Sequence, residues 1–157
     1  MSDHGTSVLV INGPNLGRLG TREPDVYGAL DAPGLADAIR GWAEDLGLTA
    51  EVRQTDDEAT LVGWLHEAVD TRRDVVLNPA AFTHYSYALR DAAAQVTTAG
   101  LRLVEVHLTN PATRERFRHT SVVAGVATGT VAGFGPDSYR LALAALQGGG
   151  PHGAAAG

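Results

Sequence analysis

The feature that most constrains this chain is an alternation of two hydrophobic periods. Short runs rich in β-branched and aliphatic residues, SVLVI at 7–11, TAEVRQ at 49–54, DVVLN at 74–78, LRLVEVH at 101–107 and TSVVAGVA at 120–127, read as five strands. Between them, Leu35, Ala38, Ile39, Trp42 and Leu46 recur at three- and four-residue spacing, as do Leu61, Leu65, Ala68 and Val69, so each set lines one face of a helix. A third helix is predicted from about Tyr85 to Ala94 and a last from about Asp137 to Ala145, with DAPG at 31–34 a turn before the first.

Strand–helix alternation implies a parallel sheet, because a parallel neighbour needs a crossover long enough to hold a helix. At this size the expected fold is α/β, a flavodoxin-like three-layer sandwich with a five-stranded parallel sheet and right-handed crossovers. With 157 residues, 44% of them hydrophobic, the chain suffices for one domain with a real core, 1–147, and leaves no room for a second. The tail GGGPHGAAAG at 148–157 lacks apolar periodicity and is expected to be disordered. No uninterrupted apolar stretch of about eighteen residues occurs, so no membrane span is expected. The opening MSDHGTSVLVINGP lacks a basic segment and a cleavage site, which predicts no secretory signal and a cytoplasmic location.

Two residue types are missing. Without cysteine there is no disulfide, thiolate metal site or thiol nucleophile. All 12 residues of the Lys+Arg count are arginine, so no side chain can form an imine, anchor pyridoxal phosphate or serve as a P-loop lysine. Arginine is left to handle anions. A net charge of −6 and a pI near 5.4 argue against a nucleic-acid partner. The arginines at 114, 116 and 118 read equally as a solvated helix face.

Open parallel sheets bind ligands beyond the carboxyl ends of their strands, and polar residues gather there. Asn12 and Asn15 follow the first strand, Asn78 ends the third, and Glu105 and His107 end the fourth. NGPNLGRLGTREPDVYG at 12–28 is far longer than the about two to six residues usual for such connections, and reads as a mobile lid. It carries Arg22 and Tyr27. A cation beside a tyrosine lowers its pKa and could make it a general base, although a lone loop tyrosine is more often a packing residue. In NPAAFTHYSYALRDA at 78–92, His84 precedes a helix bearing Arg90 and Asp91. Glu105 and His107, two apart on a strand, point the same way, so the carboxylate can orient the imidazole. For any one histidine the plainer reading is a structural hydrogen bond or a surface position. His84, His107, His119, Glu105 and Asp91 are residue types that can ligate a metal, but no pair has the spacing of H-x-x-x-H or H-E-x-x-H, and no G-x-S-x-G elbow is present.

Together, NGPNLGRLGTREPDVYG, NPAAFTHYSYALRDA, VEVHLTNPATRERFRHTS at 104–121 and GTVAGFGPDSYRLAL resemble, in order and spacing, the signature blocks of type II 3-dehydroquinate dehydratases over roughly residues 7–146. The resemblance implies anti elimination of water from 3-dehydroquinate through an enolate, with no cofactor and no metal. Tyr27 would take the C2 proton, Arg22 would lower its pKa, and Asn15 would hold a water against the enolate. His107 would protonate the departing C1 hydroxyl, oriented by Glu105. Asn78, His84 and Arg118 would bind ring hydroxyls, and the backbone amides of Leu108 and Thr109 would receive the carboxylate. The resemblance also implies a homododecamer, a tetramer of trimers, in which Asp91 reaches a neighbouring subunit's site.

The chain departs from the family's usual pattern in places. Gly17 and Arg18 replace an Asn and a Leu in the lid, Asp57, Ala59 and Thr60 stand in a run that is commonly Asn-His-Glu-Gly-Glu, and Tyr85 replaces a Thr beside the ring-binding pocket. These changes motivate an alternative, a paralogue that dehydrates a related cyclic β-hydroxy ketone in specialised metabolism. The non-catalytic alternative is a flavodoxin-like binding module or receiver domain, disfavoured by the missing lysine and by a first loop poor in Ser and Thr.

Overall fold

Residues 7–21 and 30–148 are described by the structure, a computed structural model, and hold five strands and four α-helices. The strands are β1 (Ser7–Asn12), β2 (Thr49–Gln54), β3 (Asp74–Asn78), β4 (Leu103–His107) and β5 (Gly129–Ala132). All neighbours are parallel and the order is β2-β1-β3-β4-β5, the expected flavodoxin-like arrangement. The helices are α1 (Ala32–Asp45), α2 (Glu58–Asp70), α3 (Tyr87–Thr98) and α4 (Asp137–Leu146).

Alternation along the strands feeds two cores. Val8, Val10, Val76, Val104 and Val106 pack on one face with Leu35 and Ile39 of α1 and Leu143 of α4. Leu9, Ile11, Val75 and Leu77 pack on the other with Leu61 and Leu65 of α2 and Leu89 of α3. Both faces of the sheet are thus covered, as a parallel sheet requires. No described helix is long and apolar enough to cross a membrane.

Three helices start where a short polar side chain replaces a missing acceptor: Asp31, Asp57 and Ser86 accept from the backbone N–H of Gly34, Thr60 and Leu89. The DAPG segment is therefore not a separate turn, since Asp31 caps α1 and proline suits a first helical turn. The third helix begins at Tyr87, after a 3-10 turn over Ala80–His84, and runs on to Thr98.

The fifth strand is a larger correction. TSVVAGVA at 120–127 is not extended in the sheet; Ala124–Val126 form a 3-10 turn and the strand follows at Gly129–Ala132. The Ser121 hydroxyl accepts from the backbone of both Val123 and Ala124, turning the chain, and Val123 is buried in the core on the α2–α3 side. The tail expected to be disordered lies, past Gly148, outside the described residues.

Candidate active site

The order of the sheet reverses direction at β1, whose neighbours are β2 on one side and β3 on the other, and such a switch point opens a crevice at the carboxyl ends. Register sets Asn12 opposite Asn78 there. Immediately beyond, the N–H of Gly13 donates to the Asn78 carbonyl at 2.8 Å, and a Cβ at residue 13 would lie 2.8 Å from the Pro79 carbonyl oxygen. Only glycine lets the two chains approach so closely.

Asn15 follows in left-handed backbone, φ 70°, which asparagine tolerates better than most residues. Its N–H donates to Asp56 at 2.8 Å, and Gln54 Nε2 donates to both the Gly13 carbonyl and Asp56. The end of β2 thereby braces the loop that carries Asn15. A Cβ at Gly17 would come within 2.8 Å of Gln54 Oε1, so glycine at 17 is matched to that brace.

Asn15, Asn78, His84 and His107 line one cleft, and so do Leu108, Thr109 and Arg118. Residues far apart in sequence therefore meet at one rim. Glu105 lies beneath, 1% exposed. Burying a carboxylate costs several kcal/mol unless its lone pairs are satisfied. Here Oε2 accepts from His107 Nε2 at 2.6 Å and from the Thr83 hydroxyl at 2.5 Å, and Oε1 accepts from Ser121 at 3.1 Å. Burial pushes the Glu105 pKa up, but these hydrogen bonds and the facing imidazole outweigh it and hold the group below the usual carboxylate range. An ionised Glu105 places the His107 proton on Nε2 and leaves Nδ1 for other work.

His84 is oriented from another side. A carbonyl only accepts, so Nδ1–H donates to the Thr120 carbonyl at 2.8 Å, which leaves Nε2 unprotonated in the neutral ring. The His84 and Phe117 rings are perpendicular with centroids 5.8 Å apart, and the guanidinium of Arg118 sits 4.6 Å from the same phenyl centroid while donating to Glu115 at 2.9 Å. The arginine cluster is thus partly a wall of the cleft and not only a solvated face, since Arg114 lines it beside Arg118.

Not every expected site residue joins this group. Asp91 stands exposed on α3, paired to Arg90 at 3.1 Å, away from the cleft of its own chain. Tyr85 is 60% exposed, packs edge-on against Phe82, and stands outside the cleft lining. Arg22 and Tyr27 lie outside the described residues. Among the described residues no three His, Cys, Asp or Glu side chains gather as metal ligands would.

This geometry can hold a small oxygen-rich anion against a histidine poised by a buried carboxylate. Residues 6–147 match the family described as dehydroquinase class II. The chain belongs to this family. A 3-dehydroquinate dehydratase of Salinispora tropica is 56% identical over 136 residues, 87% of this chain and 93% of that protein. A Pseudomonas aeruginosa protein, 3-dehydroquinate dehydratase 2, is 50% identical over 137 residues, 87% of this chain and 90% of that one. The crystal structure of a type II dehydroquinase from Propionibacterium acnes superposes with a TM-score of 0.87 at 49% identity, covering 90% of this chain and 96% of that one.

In this class II dehydroquinase, sequence reasoning missed the residues that hold others in place. Thr83 and Ser121 complete the shell of Glu105, Gln54 and Asp56 brace Asn15, and Phe117 packs against both His84 and Arg118. They come from scattered strand ends, turns and loops and have unremarkable residue types. The one signal present was their position beside candidates at the carboxyl ends of strands.

Proposed function

We infer that the chain is a hydro-lyase that converts 3-dehydroquinate to 3-dehydroshikimate by anti elimination of water. The observation that carries this reading is the convergence of Asn15, Asn78, His84, His107 and Arg118, from three separate blocks, on one cleft at the switch point. In the scheme, Tyr27, as phenolate beside Arg22, takes a proton from C2, and the electron pair moves into the C3 carbonyl to give an enolate. Asn15 holds a water against that oxygen. As the enolate collapses the C1–O bond breaks, and His107, entering the step as an imidazolium whose Nε2–H stays on Glu105, gives up its Nδ1 proton so that the hydroxyl leaves as water. Glu105 keeps the imidazole turned for this step.

Asn78, His84 and Arg118 would hold the ring hydroxyls, and the backbone amides of Leu108 and Thr109 the carboxylate. No metal, cofactor or imine is needed, in keeping with a chain that has no lysine or cysteine. The reaction would serve the shikimate pathway toward aromatic amino acids, and also quinate breakdown, in the cytoplasm. A homododecamer built of trimers would bring Asp91 of one subunit to the cleft of another. Tyr87, Phe117 and Phe134, all exposed in the single chain, suit such association.

The test is the ultraviolet absorbance of the conjugated enone when purified protein meets 3-dehydroquinate. Absorbance should rise, and should do so after chelator or borohydride treatment. Tyr27→Phe, Arg22→Ala and His107→Ala should each lower turnover by at least about a hundredfold. Near-normal turnover in one of them removes that residue from the scheme, and no rise with the folded native chain rejects the substrate.

A further inference from the structure

The last residues of β1 and β3, Asn12 and Asn78, lie side by side, Asn78 lining the cleft, and the fully buried phenol of Tyr139 from α4 bonds to both. The directions of the hydrogen bonds joining them are fixed by one backbone group. The N–H of Ala80 can only donate, so the Asn78 atom 3.1 Å from it is Oδ1. Nδ2 then faces Tyr139 and donates to its phenol oxygen at 2.8 Å. The phenol's single proton goes to Asn12 Oδ1 at 2.6 Å. Burial raises the phenol pKa, so this proton stays on oxygen across the working pH range.

Asn78 keeps one N–H and one lone pair beyond this relay, and it lines the cleft. Losing the phenol oxygen would leave Nδ2 and Asn12 Oδ1 buried and unpaired, and the carboxamide would turn or shift to find water. Ala80, which anchors the other end, is itself held in left-handed backbone, φ 50°, unfavourable for alanine. The Asn78 side chain is thus gripped from both sides, by the Ala80 backbone within the cleft lining and by the Tyr139 phenol outside it.

We propose that Tyr139 is a positioning residue for substrate recognition, locking the Asn78 carboxamide so that a ring oxygen of the bound substrate meets a fixed N–H donor. The proposal rests on the reading of Asn78 as a substrate-binding group. It assigns a part in recognition to a residue of the last helix, 61 positions from the side chain through which it acts.

The experiment is a double-mutant cycle on the full chain. Tyr139→Phe keeps the ring and removes only the oxygen; KM should rise about five- to tenfold, as for one lost hydrogen bond, with kcat within about twofold. In an Asn78→Ala background the same change should leave kcat/KM within about twofold. Equal losses in both backgrounds, or a fall in kcat at unchanged KM, overturns the proposal. Should Tyr139→Phe not fold, Asn12→Ser, which weakens the far end of the relay, should raise KM by a smaller factor that again vanishes with Asn78→Ala; an unchanged KM overturns it. Failure of the native chain to turn over 3-dehydroquinate would reject the substrate and not the relay. The relay is then read by hydrogen exchange at the Asn78 Nδ2 protons: one should be protected at least about tenfold, protection lost in Tyr139→Phe, and equal exchange in the native chain overturns it.

Discussion

Glu105 carries the heaviest physical demand of any single residue here, a carboxylate 1% exposed and kept ionised by one imidazole and two hydroxyls. Because its folded pKa is depressed, it contributes stability above the ordinary carboxylate range, about pH 4–5, and that contribution is lost as pH falls from there through the folded value. Glu105→Gln should therefore be less stable than the native chain by roughly 2–4 kcal/mol at pH 7 in urea titrations, with the gap closing below about pH 4. A gap independent of pH would mean that shape and not charge is what the site needs. The Glu105–His107 pair was legible because two residues apart on a strand face the same way. Thr83 and Ser121 were not, since they lie 22 and 16 positions from the glutamate and look like any other hydroxyl residues.

At the scale of elements, hydrophobic periods place β1 to β4 and the helices to within a few residues, because each helix commits one face to a core and the inner strands commit both. The fifth strand failed for the opposite reason. Val122, Val123 and Val126 have strand-like side chains, yet they meet the α2–α3 core from a loop that Ser121 bends, while the true strand, GTVA, is short and only partly covered. Burial, and not β propensity, decided the matter. The same comparison explains why α3 starts late: Ser86 both caps it, accepting from Leu89, and donates to Glu58 at the head of α2. Ser86→Ala removes the cap and leaves that carboxylate without its partner. It should cost about 1–2 kcal/mol in chemical denaturation. A loss well below 0.5 kcal/mol would show that the α2–α3 link contributes little.

For the molecule as a whole, the place of the cleft followed from fold class, since a parallel sheet of this order opens at its switch point; what stands around the cleft did not, because it is assembled from loops. Charge has the same two levels. The chain carries −6 overall, while Arg114 and Arg118 wall the cleft with their side chains 15% and 19% exposed. For an anionic substrate the two oppose one another, and range separates them. At about 0.1 M salt the screening length is about 10 Å, so charge spread over the surface is largely screened while contact with the guanidiniums is not. Raising salt from about 0.1 to 1 M should then weaken only the contact attraction and raise KM about two- to fivefold with kcat unchanged. At about 0.01 M, where screening extends to about 30 Å, repulsion by the whole molecule returns and KM should stop falling. Arg118→Gln should flatten the high-salt rise in the enone absorbance assay. A KM that falls steadily with salt would instead mean that the −6 of the whole chain outweighs the two arginines at every range.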